Sequence, residues 1–224
     1  MDLKGVILDV DGTLVLSNDA HAQAWVDAFA RYGYTVEFAQ VRRLIGMGGD
    51  KLMPKVVPGL NDEEGIGKEI SSYRREHFKQ HYLPNLTPAP GARELLLYLR
   101  DQGLRLVVAS SAKEDELDGL LRAAQIDDLI EMTTSSSDAE NSKPDSDIVQ
   151  VALDKAGFKP HEALMLGDTP YDVQAAAGCG VGLIAVRCGG FTDKELRGAL
   201  AIYNDPADLL AHYTQLPSTC NKLT

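Results

Sequence analysis

A chain of 224 residues, 44% hydrophobic and 25% charged, holds enough apolar material for one large domain or one domain carrying a small insert. Its net charge of −11, from 22 basic and 33 acidic side chains, argues against partners that need a basic footprint, so neither nucleic acid nor an anionic membrane is expected. Three cysteines (Cys179, Cys188 and Cys220), odd in number and without metal-type spacing, argue against a disulfide framework and for a cytoplasmic protein. No apolar run reaches the roughly 20 residues of a membrane span. The chain opens directly into a strand pattern, which leaves no room for a signal peptide.

In chain order, the first element is a short apolar strand over residues 6–9. It runs into Asp9-Val10-Asp11-Gly12-Thr13-Leu14. Two carboxylates at the end of a buried strand are costly unless a cation or a reaction uses them.

Residues 17–87 read differently. Ala22, Trp25, Val26 and Phe29 share one helix face, with Ser17 or Asn18 as the N-cap and Gly33 as the stop. A second helix is predicted over 38–44. Asp50 caps a third after Gly46-Met47-Gly48-Gly49, and a fourth covers 63–82. Pro84, Pro88, Pro90 and Gly91 then punctuate the return to strand-helix alternation.

Further strands are predicted over 104–109, 129–133, 163–166, 181–186 and 201–203. Helical faces lie between them: Leu117, Leu120, Leu121 and Ala124; then Ile148, Val151, Ala152 and Ala156, ended by Gly157; then Val173, Ala176 and Ala177, ended by Gly178. The pattern predicts an α/β fold, a Rossmann-like parallel sheet with helices on both faces. The core is expected over 1–16 and 88–224, with a small all-helical domain inserted at 17–87. Residues 218–224 read as a frayed tail.

Four pieces sit at strand ends or in the loops that follow: Asp9-x-Asp11; Ser110 with Ser111; Lys143 in Ser142-Lys143-Pro144; and Asp168 with Asp172 in Gly167-Asp168-Thr169-Pro170-Tyr171-Asp172. A parallel sheet brings such positions onto one edge. Their joint order and spacing resemble the haloacid dehalogenase superfamily, in its phosphatase branch with a helical cap after the first motif. The phosphoglycolate phosphatases and β-phosphoglucomutases belong to this branch.

The resemblance covers essentially the whole chain and implies a Mg²⁺-dependent phosphatase. Asp9 would be the nucleophile that becomes an aspartyl-phosphate, and Asp11 the general acid and base. Ser110 and Lys143 would bind the phosphoryl oxygens. Asp9, Asp168 and the backbone carbonyl of Asp11 would hold the metal, with Asp172 and Gly12 in support.

Ser111, Lys51 and His21 are candidate substrate contacts. His21 belongs to a His-x-x-Ala-Trp pattern ending at Trp25 that suits a hinge-side histidine and a core tryptophan better than a direct catalytic role. The substrate expected is a small phosphorylated metabolite, of phosphoglycolate or sugar phosphate type, handled by a monomer. Two other readings are a β-phosphoglucomutase-like mutase, against which stands Gly167 where that family has Glu, and a non-catalytic phospho-ligand-binding protein.

Overall fold

The computed structural model describes residues 3–213. The expected tail and Cys220 lie outside these residues. Six parallel strands form one sheet in the order β3-β2-β1-β4-β5-β6. The strands are β1 (Gly5–Leu8), β2 (Arg105–Ala109), β3 (Met132–Thr134), β4 (Ala163–Gly167), β5 (Gly182–Val186) and β6 (Ala201–Tyr203). The chain leaves β1 toward β2 and β3 on one side, and continues to β4, β5 and β6 on the other. The switch therefore falls between β1 and β4, where Ile7 pairs with Met165 and Leu8 with Leu166. Strand ends at such a point open into a crevice.

Helices α5 (Ala92–Asp101), α6 (Glu114–Ala123) and α9 (Pro206–His212) supply apolar residues to one face of the sheet, and α7 (Asp147–Ala156) and α8 (Pro170–Gly178) to the other. β1 shows why both faces are covered. Val6 and Leu8 join Leu95, Leu96 and Leu120 on one side, whereas Ile7 joins Val149, Ala152 and Ala175 on the other. This is the period-2 alternation of a strand buried twice.

Between β1 and α5 lie α1 (Asn18–Arg31), α2 (Phe38–Arg42), α3 (Gly49–Val56) and α4 (Gly65–His81). They close over their own cluster, including Trp25, Phe29, Val41, Leu52, Met53 and Ile70. Two connecting stretches pair with each other where the insert leaves and rejoins the sheet. Leu16 N–H donates to Thr87 O at 3.0 Å and Ala89 N–H to Leu14 O at 2.9 Å.

Several local expectations shift. Residues 129–131 are not strand, and β3 begins at Met132. Asp50 lies in the first turn of α3 and does not cap it; the N-cap is Gly48, and Asp50 accepts instead from the Ser142 hydroxyl. Helices α5 and α9 were not anticipated. The first follows Gly91, which takes a left-handed conformation at φ 70°, and the second is capped by Asp205, which accepts from Asp208 N–H.

Candidate active site

β1 ends one residue before Asp9 and β4 ends one residue before Asp168, so adjacent strands deliver two carboxylates to the same edge. Thr13 ties them together: its hydroxyl lies 2.9 Å from Asp9 Oδ2 and 3.0 Å from Asp168 Oδ1. Asp172, at the third position of α8, accepts from Thr169 in a capping box, which turns its other oxygen toward Lys143. The Lys143 ammonium is fully buried. It is satisfied by three acceptors: Asp9 Oδ1 at 2.6 Å, Asp172 Oδ1 at 2.8 Å and Ala109 O at 2.9 Å.

Two buried carboxylates contact this one ammonium, and a third, Asp168, lies beside them. Asp9, Asp168 and Asp172 each offer an oxygen within 4.8 Å of the others. Burial, and then the Asp172 charge, push the Asp9 carboxyl up to about 7 despite Lys143. Burial, followed by Asp9 and Asp172, also raises Asp168 well above the usual carboxylate range. Surplus negative charge among hard oxygen donors fits a divalent cation of the Mg²⁺ type. The side-chain cluster thus contains Asp172 and not Asp11, whose contribution would be its backbone carbonyl.

Asp11 points elsewhere. Its Oδ1 accepts from the Ser17 hydroxyl at 2.5 Å and faces His21 Nε2 at 2.6 Å. Burial favours the neutral acid, but His21, Ser17 and Arg74 outweigh it and hold Asp11 below the ordinary carboxylate value. His21 in turn stacks on Phe78 with ring centroids 4.0 Å apart, and its Nδ1 accepts from Arg74 of α4. Arg74 also grips both oxygens of Glu116 in α6, at 3.1 and 2.9 Å.

Gly12 adopts φ 77°, and a Cβ there would lie 2.1 Å from Asn18 Nδ2 and 2.3 Å from Asp168 Oδ2. Only glycine fits that turn without displacing them.

The other candidates divide. Ser110 is buried, and its oxygen accepts from Ala112 N–H at 3.1 Å. Ser111 and His21 line a cavity of about 680 Å³ between the insert and the sheet edge, together with Asp9 and Asp11. Lys51 does not line it: its ammonium bonds Asp145 at 2.8 Å and Asn141 at 3.4 Å across the insert-to-core junction.

Sequence reasoning missed the linking roles of Ser17 and Asn18, together with Arg74 and Glu116. Asn18 donates to Asp168 Oδ2 at 2.8 Å and to Gly189 O at 3.2 Å. Gly189 itself approaches so closely that a Cβ would overlap Asp168. Asn18 and Ser17 were legible only as helix caps, and no spacing marks Arg74 or Glu116.

The family model described as haloacid dehalogenase-like hydrolase matches residues 6–186, which include every one of these strand-end carboxylates. The chain is a haloacid dehalogenase-like hydrolase. A phosphoglycolate phosphatase of Rhodospirillum rubrum is 30% identical over 214 residues, covering 92% of this chain and 89% of the relative. The pyrophosphatase PpaX of Halalkalibacterium halodurans is 25% identical over 184 residues, covering 81% and 82%. A structure from Bacteroides vulgatus, provisionally called a β-phosphoglucomutase, superposes on this hydrolase with a TM-score of 0.86 at 28% identity, covering 98% of this chain and 90% of that one.

Proposed function

We propose that this hydrolase is a Mg²⁺-dependent phosphatase. It would act on a small phosphorylated metabolite, of phosphoglycolate or sugar phosphate type, through an aspartyl-phosphate on Asp9. The observation that carries the reading is Asp9 itself: a buried carboxylate held between Lys143 and Thr13, beside Asp168, at the wall of a cavity. The names of relatives support it, since they include a phosphoglycolate phosphatase and a pyrophosphatase.

Asp9 attacks phosphorus while the bond to the leaving oxygen breaks, and Asp11, ionised in the free protein but protonated once the anionic substrate lies beside it, gives that oxygen a proton. Water then attacks the acyl phosphate and returns a proton to Asp11. The Asp9–phosphorus bond breaks, releasing phosphate and restoring Asp9. Asp9, Asp168 and the Asp11 carbonyl would hold a divalent cation, whose positive charge would offset repulsion between Asp9 and the anionic phosphoryl group. Lys143 and Ser110 fix Asp9 and the phosphoryl oxygens in line. The helical insert acts as a cap that keeps bulk water out.

The test is hydrolysis of 4-nitrophenyl phosphate with Mg²⁺, with Asp9→Asn as the control. Turnover that disappears in Asp9→Asn is the expected result; a folded wild-type protein without turnover would refute the reading. Incubation with β-glucose 1-phosphate separates the mutase: free phosphate is expected, and glucose 6-phosphate would point to isomerisation.

A further inference from the structure

Asn18 is the first residue of α1, yet its side chain does nothing for that helix. The N-cap is Ser17, and no side-chain cap bond is made. The Asn18 amide turns instead into the core and is buried there. Its nitrogen donates to Asp168 Oδ2 at 2.8 Å and to Gly189 O at 3.2 Å. A carboxylate and a carbonyl both accept, so the amide nitrogen, and not its oxygen, must face them. The Asn18 Oδ1 is buried without a hydrogen-bond partner among the described residues. An orphaned buried acceptor costs stability. An apolar side chain would avoid that cost, so packing alone does not explain an asparagine here.

Asp168 supplies the explanation. Its carboxylate lies in a slot so narrow that a Cβ at Gly12 or Gly189 would meet Oδ2 at 2.3 or 1.6 Å. Among the described residues, Asn18 is the one hydrogen-bond donor to Oδ2. Oδ1 is the atom that Thr13 ties to Asp9. With Oδ2 anchored, the carboxylate is held from rotating, and Oδ1 stays on the side of Asp9. An amide achieves this without adding charge. A lysine or arginine would also anchor Asp168, but its positive charge would oppose a metal ion.

The Gly189 carbonyl ties this arrangement to the insert. It accepts from Asn18 and also from Arg42 of α2, at 2.5 Å. The next residue, Gly190, has φ 89°, and a Cβ there would lie 2.8 Å from the Arg42 guanidinium. Two glycines thus let the loop after β5 pass between Asp168 and Arg42. Asn18 stands next to the connecting stretch 14–16, whereas Arg42 lies farther out in the insert. Opening of the insert therefore breaks the Arg42 contact first and leaves the Gly189 carbonyl held by Asn18 alone.

We infer that Asn18 is a positioning residue that holds Asp168 in its metal-binding orientation, and that Arg42, through the shared Gly189 carbonyl, makes metal affinity depend on the docked position of the insert. The inference rests on the divalent-cation part of the reading above and deepens it. Such coupling is reciprocal, so the metal in turn favours the docked insert.

The experiment titrates the metal-free, substrate-free protein with MgCl₂ by isothermal calorimetry. Asn18→Ala and the similarly sized Asn18→Leu are expected to weaken Mg²⁺ binding by at least about tenfold, and Arg42→Met to weaken it by less. Arg43→Met breaks the neighbouring exposed pair with Glu195 and is expected to leave the affinity unchanged. Mg²⁺ is also expected to slow protease cleavage at residues 14–16 and 87–89 in the wild type, and to slow it less in Arg42→Met at a concentration that saturates both. Wild-type affinity in both Asn18 variants, each checked for folding by circular dichroism in EDTA, would overturn the positioning role. Equal protection of wild type and Arg42→Met, or equal loss of affinity in Arg42→Met and Arg43→Met, would overturn the coupling. Any of these results would leave the divalent-cation reading standing. A folded wild-type protein that takes up no Mg²⁺ would strike that reading, and the inference with it.

Discussion

Two carboxylates with the same chemistry occupy opposite environments at residues 9 and 11. An arginine can only donate, so Arg74 at His21 Nδ1 makes that nitrogen the acceptor. The ring proton then lies on Nε2, which donates to Asp11 Oδ1. Ser17 donates to the same oxygen, which leaves Oδ2 as the atom that exchanges a proton with substrate and water. Asp11→Asn is predicted to release one equivalent of 4-nitrophenolate in a burst, because that leaving group needs no proton, and then to stall. Steady-state turnover should fall about 10²–10⁴-fold, and stopped-flow absorbance separates the two phases. A second prediction concerns Lys143, whose ammonium bonds two buried carboxylates and a carbonyl. Lys143→Met removes the cation from between Asp9 and Asp172, and should cost about 3–5 kcal/mol in EDTA. Added Mg²⁺ should raise the Tm of this variant by more than it raises the wild-type Tm, as read by calorimetry. Asp9, Asp11, Lys143 and Asp168 were legible because a parallel sheet sends every strand end to one edge. Arg74 and Glu116 were not, since α4 and α6 meet only after the insert folds back.

At the level of elements, legibility followed burial. β1 and β5 are apolar on both faces, and their predicted bounds fall within a residue of those observed. β3 offered only Met132–Thr134 to the ladder, and the apolar Leu129 and Ile130 pack against the core without strand pairing, so the predicted strand began three residues early. Helix α5 buries Ala92, Leu95, Leu96 and Leu99 at regular helical spacing, and the prolines just before it hid that helix. Inside the insert, α1 and α4 are pinned by Asp27. Its Oδ2 accepts from Tyr82 OH at 2.5 Å and His77 Nε2 at 3.0 Å, and its Oδ1 accepts from Gln23 at 2.9 Å. Partial burial works against the charge, but the Tyr82, Gln23 and His77 hydrogen bonds prevail and lower the Asp27 carboxyl below its usual range. A depressed folded-state value stabilises the protein above the unfolded value of about 3.9 and loses that contribution as pH falls through the folded one. Asp27→Asn should therefore lower stability at pH 7 and narrow its gap to wild type by pH 3. Urea denaturation at the two values is the measurement.

For the whole molecule, the contacts between insert and core are unequal, and this inequality connects closure with chemistry. Arg43–Glu195 and Lys79–Asp115 are largely exposed pairs, of the kind that salt screens and that contribute under about 1 kcal/mol. Arg74–Glu116 is different. Glu116 is only 2% exposed, both of its oxygens accept from one Arg74 nitrogen, and the guanidinium lies over Trp25 and Phe78 at 5.3 and 5.2 Å. Any opening that separates α4 from α6 breaks this pair and, because His21 and Arg74 both belong to the insert, carries His21 away from Asp11, so the orientation of Asp11 is tied to the position of the insert. Glu116→Gln keeps the shape and removes the charge. Loss of a charge-assisted bond worth about 1.5 kcal/mol predicts roughly a tenfold fall in kcat/KM. It also predicts faster protease cleavage at the connecting residues 14–16 and 87–89. Glu195→Gln serves as the comparison, because it breaks an insert-to-core pair of similar charge that has no path to Asp11. Its kcat/KM should stay within about twofold of wild type. Equal effects from the two variants would mean that closure depends on total charge across the junction and not on the buried Arg74–Glu116 pair.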